Sequence, residues 1–554
     1  MKSFCKSLLL ATTVAVVSLL PMGKAFSQSL PEPAAVISIA KFDEQMNDVN
    51  YLLTASGFAQ MKFMAKAMIK GYTKGLDGKR DAGVMLFLNE SSEAPDILGF
   101  VPIEDIDEML NVISGFAEVD EGEDVTTIVT DDGQEMVIKE RDGVAFFSNK
   151  SDMLVDLPEK PVELLGDLPS KYNLSAKLFA QRIPKKMREQ VLEMIRESSE
   201  DAFDSFDEDD VQVEFQKKNL ELQLKQMEML FRDSDSLTIG MSADEKSKSL
   251  VMQVDFTALP DTKLAEHMAI SKQVGESRFT GFLMDGSAFN QNGIARFHPE
   301  QAEQYSTMLR DLEKAGLKEL DQETDLSEED LNQVKKSVGE LVDVIDETLK
   351  EGLFDGGAVL MLKEGSVNFA MGAQISDPRK LEGTIKELIV MAEEKLGDEI
   401  EVNLNSGSHK NITLHEIVVQ VPDEEEEVRD MLGDQITVTL GIGTKEAYFA
   451  LGSNPVDLLK KAIDGKSETS DMMQYNVNIA PILDFFATME GDPNVEAMAK
   501  ALKEAGNDRI QVTSNWIENG VNMKFEMQDG ILGLIKVGVD AFQGGGAFPP
   551  GDDF

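Results

Sequence analysis

Only four histidines, His267, His298, His409 and His415, occur in the 554 residues. Imidazole is the usual ligand for borderline metals and the usual proton carrier near neutral pH. His409 and His415 fall close together in sequence, on the rim of a predicted strand. Strand alternation places residues six apart on one face but about 20 Å away from each other, too far to share an ion. The chain contains no His-Glu-x-x-His, no Gly-x-Ser-x-Gly elbow, no P-loop and no dinucleotide-binding Gly-x-Gly-x-x-Gly. Gly441-Ile442-Gly443 matches only the first three positions of the last, inside a strand pattern. Cys5 is the only cysteine. No catalytic, cofactor-binding or metal-ligating residue is therefore assigned from sequence, and no cofactor is expected.

Two weaker patterns remain. Acidic runs occupy Glu118 to Asp124, Asp204 to Asp210 and Asp423 to Glu427, none in the register that wraps a calcium loop. They read as solvated faces, with weak divalent cation binding as the functional alternative. Methionine is abundant, at 29 residues, and Phe58, Met61, Met64 and Met68 line one helical face. Such a face fills a core or forms a hydrophobic groove for a ligand or partner; thioethers holding Cu(I) are a lesser alternative. One Trp and six Tyr give little material for a sugar-stacking cleft.

The elements that would carry these residues form a pattern that recurs. Val144 to Phe147 is an apolar run followed by Ser148-Asn149-Lys150-Ser151-Asp152-Met153-Leu154. Tyr448 to Leu451 is another, followed by Ser453-Asn454-Pro455-Val456-Asp457-Leu458-Leu459. Tyr172-Asn173-Leu174-Ser175 is echoed by Tyr475-Asn476-Val477-Asn478. The order around these matches agrees too: a strand at Gly83 to Leu88 and its partner at Asp96 to Ile103 precede a helix at Glu104 to Ser114. In the second half, Gly357 to Leu362 and Val367 to Ile375 precede a helix opened by Asp377-Pro378. Hairpins at Leu237 to Phe256 and Ile510 to Met527 end each half, the latter through Asn519-Gly520. The helical hairpin Pro299 to Glu351, with Ser327 as N-cap, answers to Phe42 to Lys79. The predicted fold class is α+β: two similar halves from an internal duplication, each a mainly antiparallel sheet packed with helices.

Lys2, Lys6 and the apolar stretch Leu8 to Leu20 read as a secretory signal cleaved after Ser27. Residues 1–27 are thus the signal peptide, 28–277 the first half with an acidic helical insertion at about 182–232, 278–542 the second half, and 543–554 a disordered Gly/Pro tail. Cleavage removes the cysteine, and a thiol-free exported chain points to the bacterial periplasm or exterior. No transmembrane segment is expected after cleavage. The net charge of −48 becomes −51 with the loss of the three leader lysines. That excess repels nucleic acid, so none is expected as a partner.

The signal peptide, the Gly83 and Gly357 strands and the paired Ser148-Asn149 and Ser453-Asn454 segments together resemble the uncharacterised exported two-half α+β proteins of planctomycete-type bacteria. That resemblance implies export and a two-half architecture, and carries over no catalytic residue. The expected function is a non-enzymatic envelope protein acting as a binding or structural scaffold, with an unknown protein or an amphiphilic ligand as partner. Two alternatives follow: a periplasmic carrier holding a lipid or other amphiphile between sheet and helices, and, more weakly, a carboxylate-based hydrolase.

Overall fold

The computed structural model describes residues 32–90, 94–203, 211–323, 327–363, 365–397, 400–422, 429, 431–467 and 471–544. The leader, the acidic runs at 204–210 and 423–427, and residues 545–554 of the tail lie outside them. Fourteen α-helices and twenty strands, all antiparallel, make up the described residues, so the chain is α+β. It divides into two compact units: residues 1–54, 58–198 and 227–259, and residues 55–57, 199–226 and 260–554.

The first unit opens with β1 (Ala35–Ile39), α1 (Phe42–Ala55) and α2 (Lys62–Tyr72). β2 (Ala82–Phe87), β3 (Asp96–Pro102) and α3 (Ile106–Ile113) follow, then the meander β4 (Ala117–Glu121), β5 (Thr126–Thr130), β6 (Glu135–Arg141) and β7 (Val144–Ser148). Short turns and α4 (Leu168–Lys171) lead to β8 (Leu174–Phe179). The helices α5 (Lys185–Phe203) and α6 (Val211–Asp233), whose residues 199–226 are grouped with the second unit, separate it in sequence from the hairpin β9 (Ser234–Asp244) and β10 (Ser249–Ala258). Pairing runs β4-β5-β6-β7-β3-β2-β1-β8-β9-β10. One face carries Val36, Met85, Leu98, Phe100 and Phe146 against Leu154, Leu165 and Leu168; the other carries Ile128, Ile138 and Ala145 against Met109 and Leu110 of α3. Alternation of side chains along each strand is what allows both faces to be filled.

The second unit begins with α7 (Lys263–Ser271) and β11 (Phe289–Arg296), then α8 (Pro299–Glu323) and α9 (Glu328–Glu351). β12 (Leu353–Lys363), β13 (Ser366–Gln374), α10 (Pro378–Leu396), β14 (Ile400–His409), β15 (Ile412–Gln420), β16 (Gln435–Ile442) and β17 (Glu446–Gly452) come next. α11 (Pro455–Asp464), β18 (Met473–Asn478), α12 (Ile479–Glu490), α13 (Pro493–Ala505), β19 (Arg509–Ile517), β20 (Gly520–Gln528) and α14 (Asp529–Gly544) complete it. Pairing runs β14-β15-β16-β17-β13-β12-β11-β18-β19-β20, the order of the first unit with ten added to each number. Its core joins Phe279, Phe282, Val359, Ala370, Leu414 and Tyr448 to Leu458 and Leu459 of α11.

Phe147 and Phe449 stand on β7 and β17, the same place in the two orders. Residues 436–451 fall on β16 and β17 with a turn between them. One finding differs from the sequence reading. The helices within 182–232, read as an insertion, join β8 to β9 where α12 and α13 join β18 to β19; the pair in the first half of the chain is longer rather than extra. Ser327 does cap α9, its Oγ accepting the Asp330 N–H at 3.2 Å.

Glycines on β3 and β13 make room for aromatic rings from the strands beside them. Gly99 lies opposite Phe147, and an added Cβ would stand 1.9 Å from that ring. Gly372 lies opposite Tyr448, where the distance would be 2.6 Å. Gly99→Ala and Gly372→Ala should each destabilise the chain by about 1–3 kcal/mol through ring displacement, read as a shift of the denaturant midpoint.

On α1, Asp48 accepts from the Asn173 side chain. Burial pushes its carboxyl up to about 6, with the Asn173 bond opposing and the nearby Glu44 adding to the rise. The folded chain thus holds this proton more tightly than the unfolded one. The cost of the buried charge is absent below about pH 4 and complete above about pH 6. Asp48→Asn should stabilise the protein by about 1 kcal/mol at pH 8, after allowance for solvent screening of a half-exposed group, and by nothing at pH 3.5. Thermal unfolding at the two pH values checks this.

Candidate functional site

The structure brings together two histidines that lie far apart in sequence. His267 belongs to α7, whose first turn is capped by Thr262 Oγ1 accepting the Ala265 N–H at 3.3 Å. The helix is tied down at its other end: Ser271 Oγ donates to the Arg296 carbonyl at 2.7 Å, at the end of β11. Beyond that strand end, His298 precedes Pro299, the first residue of α8. Its Nδ1 accepts the Glu300 N–H at 3.2 Å, and its own N–H donates to Gln301 Oε1 at 3.1 Å. This is a capping box with histidine in the place of serine or threonine.

The rings of His267 and His298 stack at 4.2 Å between centroids, 26° from parallel. Glu300, on the first turn of α8, supplies a carboxylate, and one ligand atom from each of the three residues lies within 4.8 Å of the others. His267 is 7% exposed, and its Nδ1 is buried without a hydrogen-bond partner. Burial lowers the pKa of this ring and His298 lowers it further; Glu300 and Glu266 oppose, and Lys263 adds to the depression. Lys263 Nζ stands 3.4 Å from Glu300 Oε1.

The other two histidines have separate roles. His409 ends β14 and His415 lies on β15, so they are on paired strands rather than on one. Lys410 and Asn411, at φ 46° and 66°, make the tight two-residue turn that the sequence reading did not resolve. His409 Nε2 meets Asp464 Oδ1 at 2.7 Å, as does Lys410 Nζ. His415 is buried and its Nδ1 accepts the Asn405 N–H at 3.0 Å, which places the proton of the neutral ring on Nε2. That nitrogen is 3.3 Å from Glu382 Oε1, close enough for electrostatic attraction, but the angle leaves it without a hydrogen bond. Lys386 Nζ holds the same Glu382 oxygen at 2.5 Å. Ile385, Ile389, Leu440 and Ile442 close over this triad and leave a cavity of ≈ 0 Å³. With no room for a substrate, the triad joins α10 to the strands beneath it.

Buried carboxylates elsewhere are also engaged. Asp355 accepts from Ser277 Oγ at 2.5 Å and from the Arg278 N–H at 3.1 Å, and burial raises its pKa against both bonds. Asp346 accepts from Ser306, Arg310 and Lys350. Each of these two acids is held by its own local partners.

The predicted groove residues lie where α1 gives way to α2. Phe58, Met61 and Met68 are half-buried and Met64 is 41% exposed. No residue of α1 or α2 is fully buried. Phe63, which the sequence reading did not single out, is 84% exposed. Lys66 and Lys70 are exposed on the same helix, and Lys74 is exposed just past its end. Among the described residues, Lys62, Lys66 and Lys70 make no ion pair, whereas Lys74 meets Glu108 at 3.1 Å. In a chain with 101 acids and 53 basic residues, unpaired lysines in a row are a local inversion of charge. The signal was present in the sequence as Lys62, Lys66, Lys70 and Lys74 at intervals of four, one helical face.

Comparison of the chain with known protein families and with curated proteins finds no match.

Burial lowers the pKa of His415 first, Lys386 lowers it further, and Glu382 opposes. The folded chain therefore holds this proton less firmly than the unfolded one. Its contribution to stability is complete above about pH 6.5 and is lost as the pH falls below that. His415→Asn, which can keep an acceptor for the Asn405 N–H, should flatten the fall in melting temperature between about pH 7 and pH 5. An unchanged slope would show that the ring is not held neutral by its surroundings.

Proposed function

We propose that this is an exported, non-enzymatic scaffold that acts by binding a protein partner, with α2 as its principal contact surface. The observation that carries the reading is the exposed face of α2, where Phe63 projects into solvent beside Lys66 and Lys70. A large exposed aromatic rimmed by flexible cations suits an apolar patch bordered by acids. Each unit fills a core with its own side chains, as the clusters about Phe146 and about Tyr448 illustrate. That filling favours the scaffold over the amphiphile carrier. One hollow, about 170 Å³ between Leu222 of α6 and Met308 of α8, is open and rimmed by Lys218, Glu221, Lys225 and Asp311. It is below the range of ordinary ligand pockets.

Export rests on the leader and on the thiol-free mature sequence, and the resemblance to exported two-half proteins agrees with it. The shared strand order of the two units fits an origin by duplication. Among the described residues no helix is long and apolar enough to cross a membrane. The strong negative charge opposes contact with nucleic acid.

A photo-crosslinking amino acid at position 63, introduced into the full chain in its producing cell, tests the contact surface. We expect one discrete protein adduct, lost when Lys66→Glu and Lys70→Glu are combined, with melting temperature changed by no more than about 2 °C because both side chains are exposed. Adducts to lipid alone, or a protein adduct indifferent to the charge reversal, would overturn the proposal. Native mass spectrometry of the mildly purified chain separates the carrier: a stoichiometric bound lipid would favour it, and a bare chain or defined oligomer the scaffold.

A further inference from the structure

We propose that His267, His298 and Glu300 form a binding site for a divalent transition-metal ion of the zinc type. The scaffold reading does not require this site and does not depend on it. Two imidazoles and one carboxylate are a ligand set that zinc accepts, with remaining positions left to water. One ligand atom from each residue already lies within 4.8 Å of the others. Ligands around a tetrahedral zinc ion, each about 2.0–2.2 Å from the metal, are separated by roughly 3.3–3.5 Å, so closure takes side-chain movements of about an ångström.

The observation that points to a ligand, rather than to packing alone, is His267. Its side chain is more than nine-tenths buried, and its Nδ1 finds no hydrogen-bond partner. Buried polar atoms ordinarily have partners. The ring nevertheless stacks on a second imidazole, which offers a nitrogen but no charge to neutralise. Both backbones are held firmly, α7 by Thr262 and by the Ser271 bond to β11, and His298 by the capping box of α8. Glu300 is exposed and adds the negative charge that a dication needs, with Glu266 nearby.

Two local features shape the affinity. Lys263, 3.4 Å from Glu300, must swing aside; its own side chain is 60% exposed, so the movement is unhindered by packing. His298 must give up its cap whichever nitrogen it uses. Ligation through Nδ1 replaces the Glu300 N–H directly, and ligation through Nε2 moves the ring proton onto Nδ1. Imidazole donors favour zinc, nickel, cobalt or copper over calcium and magnesium, which prefer all-oxygen shells.

The test is zinc titration of the full chain in competition with a chromophoric chelator. The wild type should bind one zinc ion saturably, in a manner that excess calcium does not displace. His267→Gln, His298→Asn and Glu300→Gln should each weaken binding by about tenfold or more. Asparagine is a good N-cap and a poor zinc ligand, so His298→Asn should leave metal-free melting unchanged. His409→Gln should bind as the wild type does. Equal zinc affinity in the wild type and in folded His298→Asn and Glu300→Gln variants would assign the ion to the acidic surface and overturn the proposal. Failure of the wild type to show a saturable site would also overturn it.

Discussion

Everything in this protein hangs on a central strand that must be paired along both edges. β1 takes β2 on one side and β8 on the other; β11 takes β12 and β18. A buried strand has main-chain donors and acceptors on both edges, and each unpaired group would cost a lost hydrogen bond. The partner on one side is near in sequence, but β8 lies almost 140 residues beyond β1. The meander β4 to β7 must therefore fold outward on one flank and the hairpin β9–β10 on the other. Antiparallel pairing throughout allows these returns through short turns, whereas parallel pairing would need crossovers.

That constraint also dictates where helices can lie. In each unit a helical pair follows the central strand, and another joins the eighth strand of the order to the ninth. The same frame carries different interiors. In the second unit the central strand buries Asn290 and Asn292, which bond to Asn476, Ser287 and Ser277. In the first, the central strand buries Val36 and Ser38. Buried amides bonded in this way fix register more strictly than apolar contacts do, because a slip would leave each of them without partners. The Ser-Asn text repeated after β7 and β17 likewise diverges in use. Asn149 accepts the Ile97 N–H, while the Asn454 side chain donates to Asp457 within its own helix turn.

The histidine pair is a product of this architecture. β11 ends at Arg296, one residue before Phe297 and two before His298, and the Arg296 carbonyl receives the bond that anchors α7. A strand end thus fixes both rings at once. The basic face of α2 has the opposite character, since no residue of α2 is buried. One place is built by tertiary convergence, the other by local periodicity on a helix surface.

The sequence by itself determined the α+β class, the apolar strands that pair near one another and the helix starts at Asp377-Pro378 and Ser327. These are local matters: alternation, capping and turn chemistry act over a few residues, and they can be read from a few residues. It also carried the lysine row on α2, legible as a spacing of four though overshadowed by the methionines beside it. It did not reveal β14 or β11. Asn403, Asn405 and Ser406 on the first lie largely exposed, and the second carries Asn290, Gln291 and Asn292, so neither shows a clear apolar alternation. Only the tertiary structure paired His267 with His298, and only it put His409 and His415 on two paired strands instead of one. Contacts between residues 31 positions apart depend on how a strand end meets a helix, a geometry that no spacing along the chain encodes.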